Sequence, residues 1–189
     1  MYLRKNLFVS VALFGLAAGF LLQGRAAASL SSQSEAKDWL EVKIYRLAVD
    51  PRSNQPVVLL SDPPEARVMP IWIGPFEANA LNSEMEGASN IRPQTHDLLE
   101  AIMQKAMLKV QRIVITRLDG NVYYASIWIE SGDSTMEVDS RPSDALVMAL
   151  KFKTPIFISR DLFMDKSLPL GREEQGENDL WHEAPGEHI

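Results

Sequence analysis

Between residues 40 and 159 the chain is cut by Pro, Gly, Asp and Asn into short apolar runs. Their period switches between two and about 3.6 residues, and this switching limits the fold more than any other feature. Residues 40–48, Leu-Glu-Val-Lys-Ile-Tyr-Arg-Leu-Ala, alternate apolar and polar side chains as a half-buried strand does. The turn Asp50-Pro51-Arg52-Ser53-Asn54, the break Ser61-Asp62-Pro63-Pro64 and the stop Gly74-Pro75 bound two further strands, 56–60 and 67–73. The three predict an antiparallel meander. Pro75 suits the first position of a helix over 75–86, with Phe76, Ala80, Leu81 and Met85 on one face. A second helix follows Arg92-Pro93; Thr95 serves as its cap and Asp97 sits in its first turn. Leu98, Leu99, Ile102, Met103, Ala106 and Met107 form its apolar stripe. Asp119-Gly120-Asn121 joins strands 110–118 and 122–130, a strong hairpin signal. A short strand 135–139, a helix from Pro142 to about residue 151 and a strand 155–159 complete the set. The expected architecture is α+β: a single compact domain with a mixed, mostly antiparallel sheet and about three helices. Trp72, Phe76, Tyr123, Tyr124 and Trp128 read mainly as core rather than as a base-stacking platform.

The 189 residues accommodate one domain plus appendages. Cysteine is absent, which excludes disulfides, zinc–thiolate sites and thiol catalysis. Arg4 and Lys5 precede an apolar run at 7–22, and Ala26-Ala27-Ala28 precede Ser29, the pattern of a secretory signal peptide over residues 1–28. Retention as a single-helix anchor is the main alternative, with membrane contact only through residues 7–24; a buried core helix is a third. In the first two cases the basic N-terminus sends the domain outward, so the expected location is exported (periplasmic or secreted) or membrane-anchored. Residues 29–39 then read as a linker, 40–166 as the domain and 171–189 as an acidic, disordered tail. The whole chain carries 19 basic and 25 acidic groups; without residues 1–28 it carries 16 and 25. The tail holds six of those acids against Arg172 alone. No basic excess marks a surface for tight, nonspecific hold on a nucleic-acid backbone.

Two polar clusters stand out. In Arg92-Pro93-Gln94-Thr95-His96-Asp97, a histidine at a helix N-terminus can act as a general base or ligate a metal, and the helix end with Arg92 can hold a phosphate oxygen. The simpler reading leaves Thr95 as a cap, Asp97 as a complement to the helix dipole and Arg92 in an ion pair. In Asp139-Ser140-Arg141-Pro142-Ser143-Asp144, two acids flanking a turn can share Mg²⁺, and Arg141 can stabilise charge on a phosphoryl group. Its simpler reading has Ser143 and Asp144 capping the helix and Arg141 bridging Asp139. Glu77 opens the first helix with Glu84 two turns on, a spacing more common for solvated acids. No glycine-rich phosphate loop, nucleophile elbow or metalloprotease helix motif appears.

Three segments together carry a resemblance. They are Val68-Met69-Pro70-Ile71-Trp72-Ile73-Gly74-Pro75-Phe76-Glu77-Ala78, then Arg92-Pro93-Gln94-Thr95-His96-Asp97-Leu98-Leu99, then Val138-Asp139-Ser140-Arg141-Pro142-Ser143-Asp144-Ala145 with Leu150. In this order and spacing, over about residues 41–165, the chain resembles the bifunctional nuclease family, whose members are described as degrading DNA and RNA. The resemblance implies nucleic acid as substrate, with Glu77, Arg92, His96, Asp97, Asp139, Arg141 and Asp144 as the functional set and Ser143 among the motif positions. In that reading Asp97, Asp139 and Asp144 hold Mg²⁺ or Mn²⁺, no organic cofactor is involved, and the domain is a candidate homo-oligomer. The rival reading is a non-catalytic binding or assembly module that recognises a protein or a small anion.

Overall fold

The computed structural model describes residues 38–64, 66–88 and 91–170. The proposed signal or anchor, most of the linker and the acidic tail lie outside the described residues. Among the described residues no helix is long and apolar enough to cross a membrane.

The elements are β1 (Trp39–Val49), β2 (Pro56–Ser61), β3 (Arg67–Trp72), α1 (Pro75–Met85), α2 (Thr95–Lys105), β4 (Lys109–Asp119), β5 (Val122–Ser131), β6 (Ser134–Ser140), α3 (Pro142–Phe152), β7 (Ile156–Ser159), α4 (Arg160–Lys166) and β8 (Leu168–Pro169). They form an α+β domain on one mixed eight-stranded sheet in the order β6-β5-β4-β7-β1-β2-β3-β8. The meander β1-β2-β3 and the β4-β5 hairpin are antiparallel as expected, with Gly120 at φ 58 in the hairpin turn. The exception is β7, which enters beside β4 in parallel, because the chain crosses the sheet through α3 to reach it.

Asp50 closes the first turn. Its carboxylate accepts the Arg52 N–H, the Ser53 hydroxyl and the Trp72 indole N–H, so one acid ties the β1–β2 turn to β3. Burial alone would push this carboxyl up, but the bonds outweigh it and hold it below the ordinary 3.8. The main core lies on the helix side of the sheet: Ile113, Ile115, Ala125, Ile127 and Ile158 meet Leu81, Met103, Leu146, Met148 and Phe163. A smaller cluster of Val57, Leu59 and Val68 sits on the other face of β2 and β3.

Several expectations need correction. There are four helices, not three: α4 is a seven-residue helix without Pro or Gly at its start, so no local signal marks it, and Phe163 is the side chain that buries it. A further short strand, β8, pairs with β3, and the Leu170 N–H donates to the Ala66 carbonyl beside it. In α1 the buried residues are Ala78 and Leu81, while Phe76 is 87% exposed and is not core. In α2 the expected stripe is turned outward, and only Met103 is buried. Thr95 is the first residue of α2, and Gln94 takes the cap position. Tyr123 packs against the core, but Tyr124 and Trp128 alternate onto the sheet's other face. There each carries a guanidinium over its ring, Arg117 at 3.7 Å and Arg112 at 4.4 Å, from the residue directly across β4.

Lys153 ends α3 in the left-handed region, at φ 52, while Lys153 N–H and Thr154 N–H bond back to Leu150 and Ala149. Glycine holds that conformation without the side-chain penalty, so Lys153→Gly is expected to stabilise the domain by about 0.5–1 kcal/mol in urea unfolding. A loss of stability would contradict this account of the cap.

Candidate active site at three helix starts

Each of the first three helices places an acid at its third position: Glu77 in α1, Asp97 in α2 and Asp144 in α3. Each acid faces the partial positive charge of its own helix end. The fold then brings these first turns together. Arg141 Nε and Nη2 donate to Asp144 Oδ2 and Oδ1 at 2.7 and 3.0 Å, and Arg141 Nη1 donates to Glu77 Oε1 at 2.7 Å. His96 Nε2, from the first turn of α2, lies 3.1 Å from Asp144 Oδ1. The result is a continuous chain, Glu77–Arg141–Asp144–His96, built from three helix N-termini.

Burial would raise the Asp144 carboxyl, yet hydrogen bonds from Arg141 and His96 hold it below its ordinary 3.8. Arg141 is in turn pushed above its usual range by Asp144 first and Glu77 second, so its charge is fixed. Its side chain is 64% exposed, against 18% for His96. Among the described residues three of its five N–H groups are engaged, which leaves two for an incoming group.

A second cluster sits beside the first. Lys151, near the end of α3 and only 7% exposed, is 2.5 Å from Asp97 Oδ1, 2.8 Å from Glu84 Oε2 and 3.4 Å from Glu100 Oε2. Burial would lower this ammonium, but Asp97 and Glu84 raise it above its ordinary value. Asp97 is held below 3.8 by Lys151 first, then by the Gln94 N–H that its other oxygen accepts at 2.7 Å. Lys151 thereby ties α1, α2 and α3 together. A cavity of about 20 Å³, lined by His96, Asp97, Gln94, Glu84 and Lys151, joins the two clusters. A wider, open cavity of about 500 Å³ lies at the other end of α3, lined by Val42, Lys43, Leu150, Lys153 and Ile156; none of the clustered acids nor His96 borders it.

The structure therefore joins Glu77, His96, Arg141 and Asp144, with Asp97 alongside. Arg92 is exposed in the turn before α2 and makes no ion pair among the described residues. Asp139 stands opposite Ser126 on β6, whereas its neighbour Ser140 stands opposite the core residue Ala125. Alternation thus aims Asp139 away from the helices. Arg141 bridges Asp144 and Glu77, not Asp139. With Asp97 held by Lys151 and Asp144 by Arg141 and His96, the three carboxylates do not converge. Among the described residues no three His, Asp or Glu side chains are placed to hold one ion. As arranged, this donor set does not fit the expected Mg²⁺ or Mn²⁺. Lys151 and Glu100 were not among the sequence candidates, and Glu84, expected to be solvated, is instead paired with Lys151. One signal was present: Lys151 follows the apolar run 145–150 and lies seven residues after Asp144, on the same helical face.

Gly74 belongs to the site as well, because a Cβ there would collide with the carboxylate of Glu77. Gly74→Ala is expected to displace Glu77 from Arg141 and to lower any site activity several-fold, with the thermal midpoint almost unchanged, since only the end of a flexible side chain must move. Full activity in this variant would show that the Glu77–Arg141 bond is dispensable.

Three helix starts thus share one arginine and one histidine–carboxylate pair. Residues 58–170 match the bifunctional nuclease domain, and the chain belongs to that family. It is 31% identical over 137 residues to an uncharacterized protein of Mycobacterium tuberculosis (strain ATCC 25618 / H37Rv), covering 72% of this chain and 82% of that one. It is 20% identical over 170 residues to bifunctional nuclease 1 of Oryza sativa subsp. japonica, covering 88% of this chain and 50% of the rice protein. Similarity of the same extent links it to the bifunctional nuclease of Oryza minuta.

Proposed function

We propose that the chain is a nuclease that hydrolyses phosphodiester bonds of DNA, RNA or both at the junction of the three helix starts. The observation that carries this reading is the convergence of three helix N-termini on one exposed arginine and one histidine–carboxylate pair. Helix N-termini favour a phosphate, and the two unused Arg141 N–H groups suit two of its oxygens. With a carboxylate as partner, His96 Nε2 carries the proton and donates it to Asp144. Nδ1 is then the base that takes a proton from the attacking water; as the water oxygen bonds to phosphorus, the bond to the leaving sugar oxygen breaks, and that oxygen takes up a proton from solvent. Arg141 counters charge growing on the phosphoryl oxygens, and Arg92, exposed just before α2, supplies a second phosphate contact. Asp144 orients both His96 and Arg141. No step is routed through Mg²⁺ or Mn²⁺.

The rival reading, a binding module for an anion or a protein, is favoured by the saturation of the network: Arg141 meets two carboxylates and Lys151 three. The solvent access of Arg141 favours the enzyme. On single-stranded DNA and RNA, His96→Ala is expected to lower cleavage by about 10²-fold or more with the fold intact. Equal rates for this variant and the wild type would sink the catalytic role of His96. We also propose that residues 1–28 direct export or tether the domain outside the membrane, supported by the basic and apolar pattern of that segment. The mass of the protein recovered from its own cells tests this, since cleavage removes these residues and an anchored form keeps them with the membrane fraction.

A further inference from the structure

Helix α2 is inverted. Its acids Asp97 and Glu100 turn inward onto Lys151, while Leu98, Leu99 and Ile102 are 56%, 40% and 54% exposed. Ile91 just before the helix and Met107 just after it are 101% and 83% exposed. An amphipathic helix ordinarily gives its apolar stripe to its own core, and an apolar surface of this extent marks a contact site.

We infer that the outward face of α2 is the contact between two copies of this chain. Five large apolar side chains exposed to this degree, facing the same five on a second copy, would bury roughly 1,200 Å² in total, the lower end for a stable interface. Leu98 and Ile102 lie one turn apart, so a two-fold antiparallel crossing sets Leu98 against the partner's Ile102 and the reverse. His96 and Asp97 belong to the first turn of the same helix, so pairing steadies the element that presents His96 to Asp144.

Sedimentation of the full chain at micromolar concentration is expected to give twice the chain mass, and the Leu98→Glu/Ile102→Glu variant to give the chain mass with unchanged circular dichroism. A monomeric wild type, or a dimer unaffected by the two substitutions, overturns the inference. Should that variant fail to fold, the absence of cysteine gives a second route. An equimolar mixture of Leu98→Cys and Ile102→Cys chains is expected to form a disulfide-linked dimer under mild oxidation, and Leu98→Cys with Thr135→Cys is not. Failure of the first mixture to cross-link overturns the inference. Binding of wild type to anionic phosphatidylglycerol vesicles, lost in the double-glutamate variant, would assign the face to a membrane instead.

Discussion

Replacing Lys151 by Met is expected to cost the domain about 3 kcal/mol, because removing one partner from a buried ion cluster leaves the others uncompensated. Asp97, Glu84 and Glu100 would then crowd one another at the place where α1, α2 and α3 are tied. Their exposure of about a quarter to a third lets water relieve part of the strain, so the upper end of such effects is not expected. The thermal midpoint should fall by roughly 6–12 °C. The pH dependence separates this cause from lost packing. In the wild type Asp97 is depressed, so its contribution is complete above 3.8 and is lost as pH falls through its lower folded value. In the variant, the crowded carboxylates take up protons more readily than in the unfolded chain, so the deficit relative to wild type should narrow between pH 7 and pH 4.5. Urea unfolding at both values checks this; a deficit below about 1 kcal/mol, or one independent of pH, would show that Lys151 is mainly a packing residue.

Asp144→Asn is expected to abolish most activity while leaving the fold in place. The substitution keeps the shape of the side chain but puts an amide where Arg141 and His96 both require an acceptor. His96 would lose the partner that keeps its proton on Nε2, and its base nitrogen would be the wrong one. A loss on the order of 10³-fold in kcat is expected, with little change in KM, since binding by Arg141 and the helix ends persists. Arg141 would also retain Glu77, which limits the loss of stability. The wild type should itself lose stability in acid, because Asp50, Asp97 and Asp144 are all depressed and each contribution disappears as pH falls below 3.8.

Much of this arrangement was legible in the residues. Alternation at 40–48, the Asp119-Gly120 turn and the prolines at 75 and 142 mark strands, hairpin and helix starts because each acts locally, on φ or on side-chain period. The two Arg-Pro turns marked the positions that meet at His96 and Asp144. What stayed hidden depends on which side of a helix faces the sheet. The stripe of α2 predicts burial by its period alone, yet a single cation, Lys151 on another helix, reverses it by drawing Asp97 and Glu100 inward. Arg141 and Asp139 are two residues apart, but Asp139 lies on the sheet face away from the helices while Arg141 has left the strand to cap α3, and beside Asp144 its second partner comes from 64 residues away. The short α4 has no capping side chain and depends on one buried phenylalanine, a contact no local pattern encodes.

The central claim, that the junction of the three helix starts cleaves phosphodiester bonds, is tested most directly by one assay. Purified chain is incubated with single-stranded DNA and RNA beside the Asp144→Asn variant, each with Mg²⁺, with Mn²⁺ and with chelator. The account predicts cleavage by wild type that Asp144→Asn loses by about 10³-fold under every condition in which wild type is active. Chelator sensitivity would add a metal to the site without moving it. A well-folded wild type that leaves both substrates intact, or an Asp144→Asn chain that cleaves as fast, would contradict it and leave the helix starts as a binding surface.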